Sequence, residues 1–147
     1  MRNRILLLFV FFLFLITGTE GCASDNDTEN TAGLQRTWKF TGFVDAKADT
    51  MKTAEPQGPQ CYILTLNEDS TFNGSTSTNQ IAGKFKMSDQ ANDFRITQFG
   101  GTKINELQDG GRYVEAILDT YTFSLAKNEL RLFYGKDFYL RFKPLSP

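Results

Sequence analysis

The residues that could carry proton chemistry in this 147-residue chain are carboxylates: Glu68 and Asp69 in one charged turn, Asp109 before two glycines, and Glu115 further on. Two carboxyl groups can share acid and base roles when their surroundings push their pKa values apart. These four stand where turns and helix surfaces carry charge for solubility, so no enzyme is expected. Histidine is absent from the whole chain. That removes the commonest general base, the commonest zinc ligand and the Ser/His and Cys/His relays together. Cys61 opens the apolar segment CYILTL; with no histidine to deprotonate it, it reads as a small buried hydrophobe. The segment FGGTK is too short to cradle a phosphate, and Gly100 with Gly101 is expected to make a turn. No catalytic residue, cofactor or metal site is expected.

The second cysteine has different surroundings. Arg2 and Arg4 precede an apolar run from Ile5 to Ile16, and small residues follow. That is the layout of an export signal. A bilayer-spanning helix needs roughly 20 apolar residues at about 1.5 Å each, which this run does not supply, and it has no polar face to make it a core helix. Gly21 followed by Cys22 resembles the end of a bacterial lipoprotein signal, with Thr19 and Glu20 standing where such signals carry Leu and a small residue. The resemblance implies cleavage before Cys22 and a diacylglycerol linked to its sulfur. The stretch ASDNDTENTAG then resembles the acidic tether of surface-exported lipoproteins of Bacteroides-like bacteria, and it has too little apolar surface to offset its ordering entropy.

The chain therefore divides into a signal peptide (1–21), an acidic disordered tether (22–33) and one domain (34–147). Each buried methylene contributes about 0.8 kcal/mol, so two or three acyl chains hold a small domain on a membrane almost permanently. The expected location is the cell envelope, at the outer membrane and exposed on the surface, with the acylated N-terminus as the membrane contact. Of 16 basic and 17 acidic residues, loss of Arg2, Arg4 and Glu20 leaves 14 and 16. Phosphate-backbone binding needs a clustered basic face, so no nucleic-acid partner is expected. With Cys22 acylated, Cys61 has no intramolecular partner and the fold gains nothing from a disulfide.

Hydrophobic patterning supplies the framework. QRTWKFTGFV alternates, with Trp38, Phe40 and Gly42 on one face. Asp45 to Gln60, with two prolines and little apolar content, is predicted to be a long loop. CYILTLNEDSTFNGSTST reads as a hairpin, with Tyr62, Leu64 and Leu66 on one face and Phe72 and Gly74 on the returning strand. IAGKFKM puts Ile81, Gly83, Phe85 and Met87 inward, and DFRITQF does so with Phe94 and Ile96. The period then changes: Val114, Ile117, Leu118 and Tyr121 predict one short helix, with Asp109 as its cap and Arg112, Glu115 and Asp119 wet. Three alternating strands close the chain, with Tyr121, Phe123 and Leu125, then Leu130, Leu132 and Tyr134, then Phe138, Leu140 and Phe142 on the apolar face. Arg131, Arg141 and Lys143, interleaved with Phe133 and Tyr139, could stack single-stranded nucleic acid. For an exported chain they read instead as a solvated face with cross-strand aromatic pairs. The expectation is a mainly β fold: a curved antiparallel sheet or small barrel of about seven to eight strands with one short helix.

From Leu34 to Phe142 the order of motifs resembles the META-domain family of bacterial envelope proteins. The resemblance rests on Trp38, LTLNEDSTFNGSTSTNQIAGKFKM, FRITQFGGTKINE and YVEAILDTYTFSLAKNELRLFYGKDFYLRF. Thr78 stands before Asn79 where many members carry a cysteine, so the disulfide of some relatives is not available. The family implies a compact β-rich fold in envelope or stress-related proteins, with no established reaction to carry over. The rival is a lipocalin-like barrel with a cavity for a small apolar ligand, against which the many large aromatics suggest a filled interior. The expected function is that of a non-enzymatic, lipid-anchored envelope domain, binding a protein partner or acting in stress.

Overall fold

Residues that alternate apolar and polar become strands, and nearly every alternating segment does so here. The computed structural model describes residues 33–88, 91–126 and 128–145, so Cys22, the leader and residues 22–32 of the tether lie outside the described residues. Nine strands and one helix follow in the order β1 (Thr37–Asp45), β2 (Thr50–Thr53), β3 (Ile63–Leu66), β4 (Thr71–Ser75), β5 (Gln80–Ser88), β6 (Asp93–Gly101), α1 (Gly110–Leu118), β7 (Thr122–Ala126), β8 (Glu129–Phe133) and β9 (Phe138–Pro144).

All pairings are antiparallel, and the sheet curls until β9 meets β1, with Phe142 opposite Phe40 and Tyr139 opposite Val44. Eight strands thus form a ring, and β2 lies outside it along the C-terminal half of β1. The narrowest link is β6 to β7, a single opposed pair, Asp93 and Thr122. The mainly β architecture with one short helix is as the patterning predicts.

The two ends of the ring are distinct. The chain enters at Gly33, where an added Cβ would meet Leu125 of β7 at 3.3 Å. This entry end also holds the β3–β4 turn, since Thr37 opposes Thr65, and the end of β9, since Trp38 opposes Pro144. The far end holds the β1–β2 turn, the 134–137 turn between β8 and β9, and the 102–109 segment, tied there by hydrogen bonds from Thr102 to Gln80 and from Asp109 to Glu55.

The interior is aromatic. Trp38, Phe40, Tyr62, Phe72, Phe94, Tyr113 and Phe142 are all 1% exposed or less, and ring centroids lie 4.9 Å apart for Phe40 and Tyr113 and 5.4 Å for Tyr62 and Tyr113. Burying such rings contributes roughly 1.5–3 kcal/mol each. Trp38 Nε1 donates to the Leu34 carbonyl at 2.8 Å, so its polar edge is satisfied. The Tyr113 hydroxyl finds no partner among the described residues.

Four local expectations change. First, β2 forms inside the segment read as a loop. All four of its residues are exposed, so no alternation marks it, and it is held by backbone pairing to β1 after Asp49 turns the chain at φ 51°. Second, Phe43 is buried beside Phe40 because a bulge between Phe40 and Gly42 shifts β1 by one residue against β9. Third, α1 buries Tyr113, Ala116 and Ile117, whereas Leu118 is 42% exposed and Tyr121 lies beyond the helix. The ring's aromatic interior recruits Tyr113, which rotates the buried face from the one the periodicity predicts. Fourth, Gly100 and Gly101 finish β6 rather than turning. A Cβ on Gly101 would lie 2.5 Å from the Gln80 carbonyl, so glycine there permits close strand approach. Gly83 does the same more severely: its Cβ would sit 1.9 Å from the Gln98 oxygen, next to the bulge that leaves Thr97 unopposed.

Candidate functional site

The fold puts two of the candidate carboxylates in one turn and the other two on one helix. Glu68 and Asp69 lie in the β3–β4 turn near the entry end, where Asp69 Oδ1 accepts from the Thr71 amide at 3.0 Å and its hydroxyl at 2.5 Å. Those hydrogen bonds hold its carboxyl below the usual range. Asp109 stands at the start of α1 at the far end, and Glu115 is exposed on the helix. Asp109 makes no side-chain cap. Its carboxylate instead pairs with the Lys52 ammonium and accepts from the Glu55 amide at 3.0 Å, joining β2 to the helix start. Burial works against its charged form, but the Lys52 and Glu55 hydrogen bonds and the charges of Lys52 and Arg112 outweigh it, so its pKa is lowered.

A polar cluster at the far end carries no signal in the sequence. Glu106 accepts from the hydroxyls of Thr76 and Ser77 and from Asn79 Nδ2, at 2.6 to 2.7 Å. Asn79, 5% exposed, accepts from the Thr102 hydroxyl and the Ile104 amide, each at 2.8 Å, and donates back to the Ile104 carbonyl at 2.7 Å. Burial pushes Glu106 up, and these side-chain donors pull it further down, so the net shift is to lower pKa. The cluster fixes the 102–107 segment and leaves Ile104 and Leu107 60% and 57% exposed.

Cys61 is half-buried against the core, with Sγ 3.7 Å from the Ser77 carbonyl and no disulfide. Lys39 donates to the Gly58 carbonyl at 2.6 Å and to the Cys61 carbonyl, and burial lowers its pKa. No group of three or more His, Cys, Asp or Glu side chains that could hold a metal occurs among the described residues. On β8 and β9, Glu129 takes a hydrogen bond of 2.7 Å from each of Arg131 and Arg141. Burial opposes the Glu129 charge, and the two guanidinium groups overcome it, lowering its pKa. Phe133 and Tyr139 face each other across the strands with centroids 5.2 Å apart. On this face Arg131, Phe133, Tyr139 and Arg141 are half-buried in these mutual contacts, and Lys143 is exposed.

The recess with binding character lies at the far end. Phe43, Val44, Tyr134 and Phe138 supply apolar walls, and Asp45, Thr50, Lys52 and Arg112 supply the polar rim of a half-open cavity of about 230 Å³. Lys52 is engaged by Asp109, and Asp45 Oδ1 accepts from the Lys47 and Ala48 amides at 3.0 Å. Arg112 lies exposed at the rim, 4.0 Å over the Phe43 ring, where its charge acts on Asp109, and it forms no ion pair among the described residues. Sequence reasoning missed it because it joins β1, β2, α1 and the β8–β9 turn, four places apart in the chain.

No family model matches the chain, and no curated protein matches it. Solved structures do. A DUF4847 family protein from Bacteroides vulgatus is similar with a TM-score of 0.53 and 20% identity, over 74% of this chain and 92% of that one. A protein from Burkholderia xenovorans is similar with a TM-score of 0.62 and 18% identity, over 80% and 88%. At these identities the likeness is one of fold: the curved β domain seen here is an architecture that solved proteins share.

Proposed function

We propose that the chain is an exported, lipid-anchored, non-enzymatic domain of the cell envelope, META-like in its order of motifs, tied to the outer membrane through Cys22. Its partner contact is the recess at the far end. The observation that carries a binding role is this recess: an apolar pocket with an exposed guanidinium held over Phe43 at its rim. A pocket of about 230 Å³ takes one large side chain or a small ligand fragment, the kind of anchor point on which interfaces concentrate their energy. The placement of Asp69, Asp109 and Glu106 in scaffold hydrogen bonds supports a non-catalytic reading. The density of rings inside the ring of strands favours a partner at the surface over an apolar ligand in the interior.

The anchor is tested by intact-mass analysis of the natural product, which should show the acyl additions on a chain beginning at Cys22. Cys22→Ser should release a folded domain from membranes, and a variant still sedimenting with them would refute the anchor. For the recess, crosslinking on intact cells should capture a protein with the wild type and lose it with Arg112→Ala and Phe138→Ala. Capture unchanged by both substitutions would remove the recess from the contact.

A further inference from the structure

We infer that the outer face of the β5–β6 hairpin is a docking surface for anionic phospholipid headgroups of the bilayer that holds the acyl chains. The inference rests on the lipid-anchored reading above and adds a second contact with the same membrane. Lys84 and Lys86 on β5 and Arg95 on β6 all point outward and are exposed. Lys86 is directly opposite Arg95 in the strand register. Like charges at opposed positions of an antiparallel pair destabilise it; Arg131 and Arg141 are also opposed, but Glu129 binds both, and Lys39 faces Lys143 but gives its ammonium to the Gly58 and Cys61 carbonyls. Lys84, Lys86 and Arg95 belong to no ion pair among the described residues. A cost left uncompensated inside the fold marks a place where something outside supplies the counter-charge.

The surroundings suit a headgroup. Lys84 and Lys86 edge an open cavity of about 500 Å³ that Ser70, Thr97, Phe85 and Met87 complete; the Thr97 hydroxyl donates to the Lys84 carbonyl at 3.2 Å, and Phe85 and Met87 pack toward the core. Asp69, the nearest acid by its electrostatic contact with Lys84, is engaged by Thr71. Asp93 also lies on the hairpin, opposite Ser88, and Asp89 falls between its two strands in the sequence, so the three cations exceed these acids by one. Position supports the same occupant. The hairpin tip meets the start of β7, where the Phe123 amide donates to the Asn92 carbonyl, and the chain enters the domain at Gly33 against Leu125 of that same β7. From Cys22 to Gly33 the chain can extend at most about 40 Å, a length that lets an anchored domain bring this hairpin to the lipid surface. Basic residues near an anionic leaflet act together and weaken with salt.

The full mature chain with Cys22→Ser, which lacks the acyl chains, is mixed with vesicles of pure phosphatidylcholine or of phosphatidylcholine with a third phosphatidylglycerol, and cosedimentation is measured at low and high salt. Binding is expected to the anionic vesicles only, to fall steeply with salt, and to drop on the order of 100-fold in Lys84→Gln/Lys86→Gln/Arg95→Gln. Lys47→Gln/Lys103→Gln/Lys136→Gln, at the far end, should bind as the parent does. Equal binding to neutral vesicles, no binding, or binding that survives the hairpin triple variant overturns the inference. So does salt-sensitive binding to single-stranded DNA without binding to vesicles. Folding of each variant is checked by its thermal transition. The assay contains no acylated protein, so its failure leaves the intact-mass test of the Cys22 anchor untouched, and the reverse holds too.

Discussion

The far end of the ring and the β5–β6 hairpin treat charge in opposite ways. At the far end Lys52 has Asp109, Glu106 has Asn79 and two hydroxyls, and the acids hold loops in place. On the hairpin Lys86 and Arg95 oppose each other and neither forms an ion pair among the described residues. Charges at the far end are part of the scaffold, so removing them should cost stability. Charges on the hairpin strain the scaffold slightly, so changing them should cost binding and leave the fold intact or firmer.

The strongest break in the comparison is one that ignores both regions. Trp38→Ala removes a ring from the shared interior and should lower stability by about 3 to 5 kcal/mol, read from chemical denaturation. An unchanged midpoint would mean that the ring is not buried as described. At the far end, Asn79→Ala strips partners from Glu106 and from both backbone groups of Ile104. A cost on the order of 3 kcal/mol is expected, since each buried group left unpaired costs about 1 kcal/mol or more. A loss under about 1 kcal/mol would show that solvent replaces the cluster easily.

Acid separates the regions by titration. Glu106, Asp109 and Glu129 all have folded pKa values below their unfolded ones. Their stabilisation is therefore fully present above the unfolded value, 4.5 for a glutamate, and is lost as the pH falls through the lower folded values. Thermal midpoints should fall from about pH 5 downward, and Glu106→Gln should flatten that fall. A midpoint independent of pH between about 5 and 3 would contradict the shifts. The smallest expected effect has the opposite sign. Lys86→Glu converts a like-charge pair with Arg95 into an attractive one and should raise stability by about 0.2 to 1 kcal/mol, while weakening binding to anionic vesicles. Destabilisation instead would show that the opposed cations are no strain at all.

Much of the ring could be read from the chain. Leu64, Leu66, Phe72, Ile81, Phe85, Phe94, Leu130, Leu132, Leu140 and Phe142 point inward as the alternation says, because a strand with one wet face must alternate; Phe138, which the same alternation puts with Leu140 and Phe142, is exposed at the mouth of the far-end recess. Phe43 could not be read that way, since the bulge that buries it depends on how β9 pairs with β1. Tyr113 was equally hidden: helical periodicity favours Val114 and Leu118, and only the aromatic interior selects a neighbouring face. The cluster of Asn79 and Glu106 and the recess beneath Arg112 gave no local signal, because their members lie on segments far apart in the chain.

Local pattern by itself determined the class of the fold, the order of its hairpins, the short helix and the absence of any histidine-based chemistry, since these depend on side-chain period and residue inventory alone. Closure of the ring, the register that sets Lys86 against Arg95, the pairing of Asp109 with Lys52 and the recess at the far end were decided by tertiary structure. Each of these joins residues whose separation in the sequence is large, and only the packing of the whole interior fixes which of them meet.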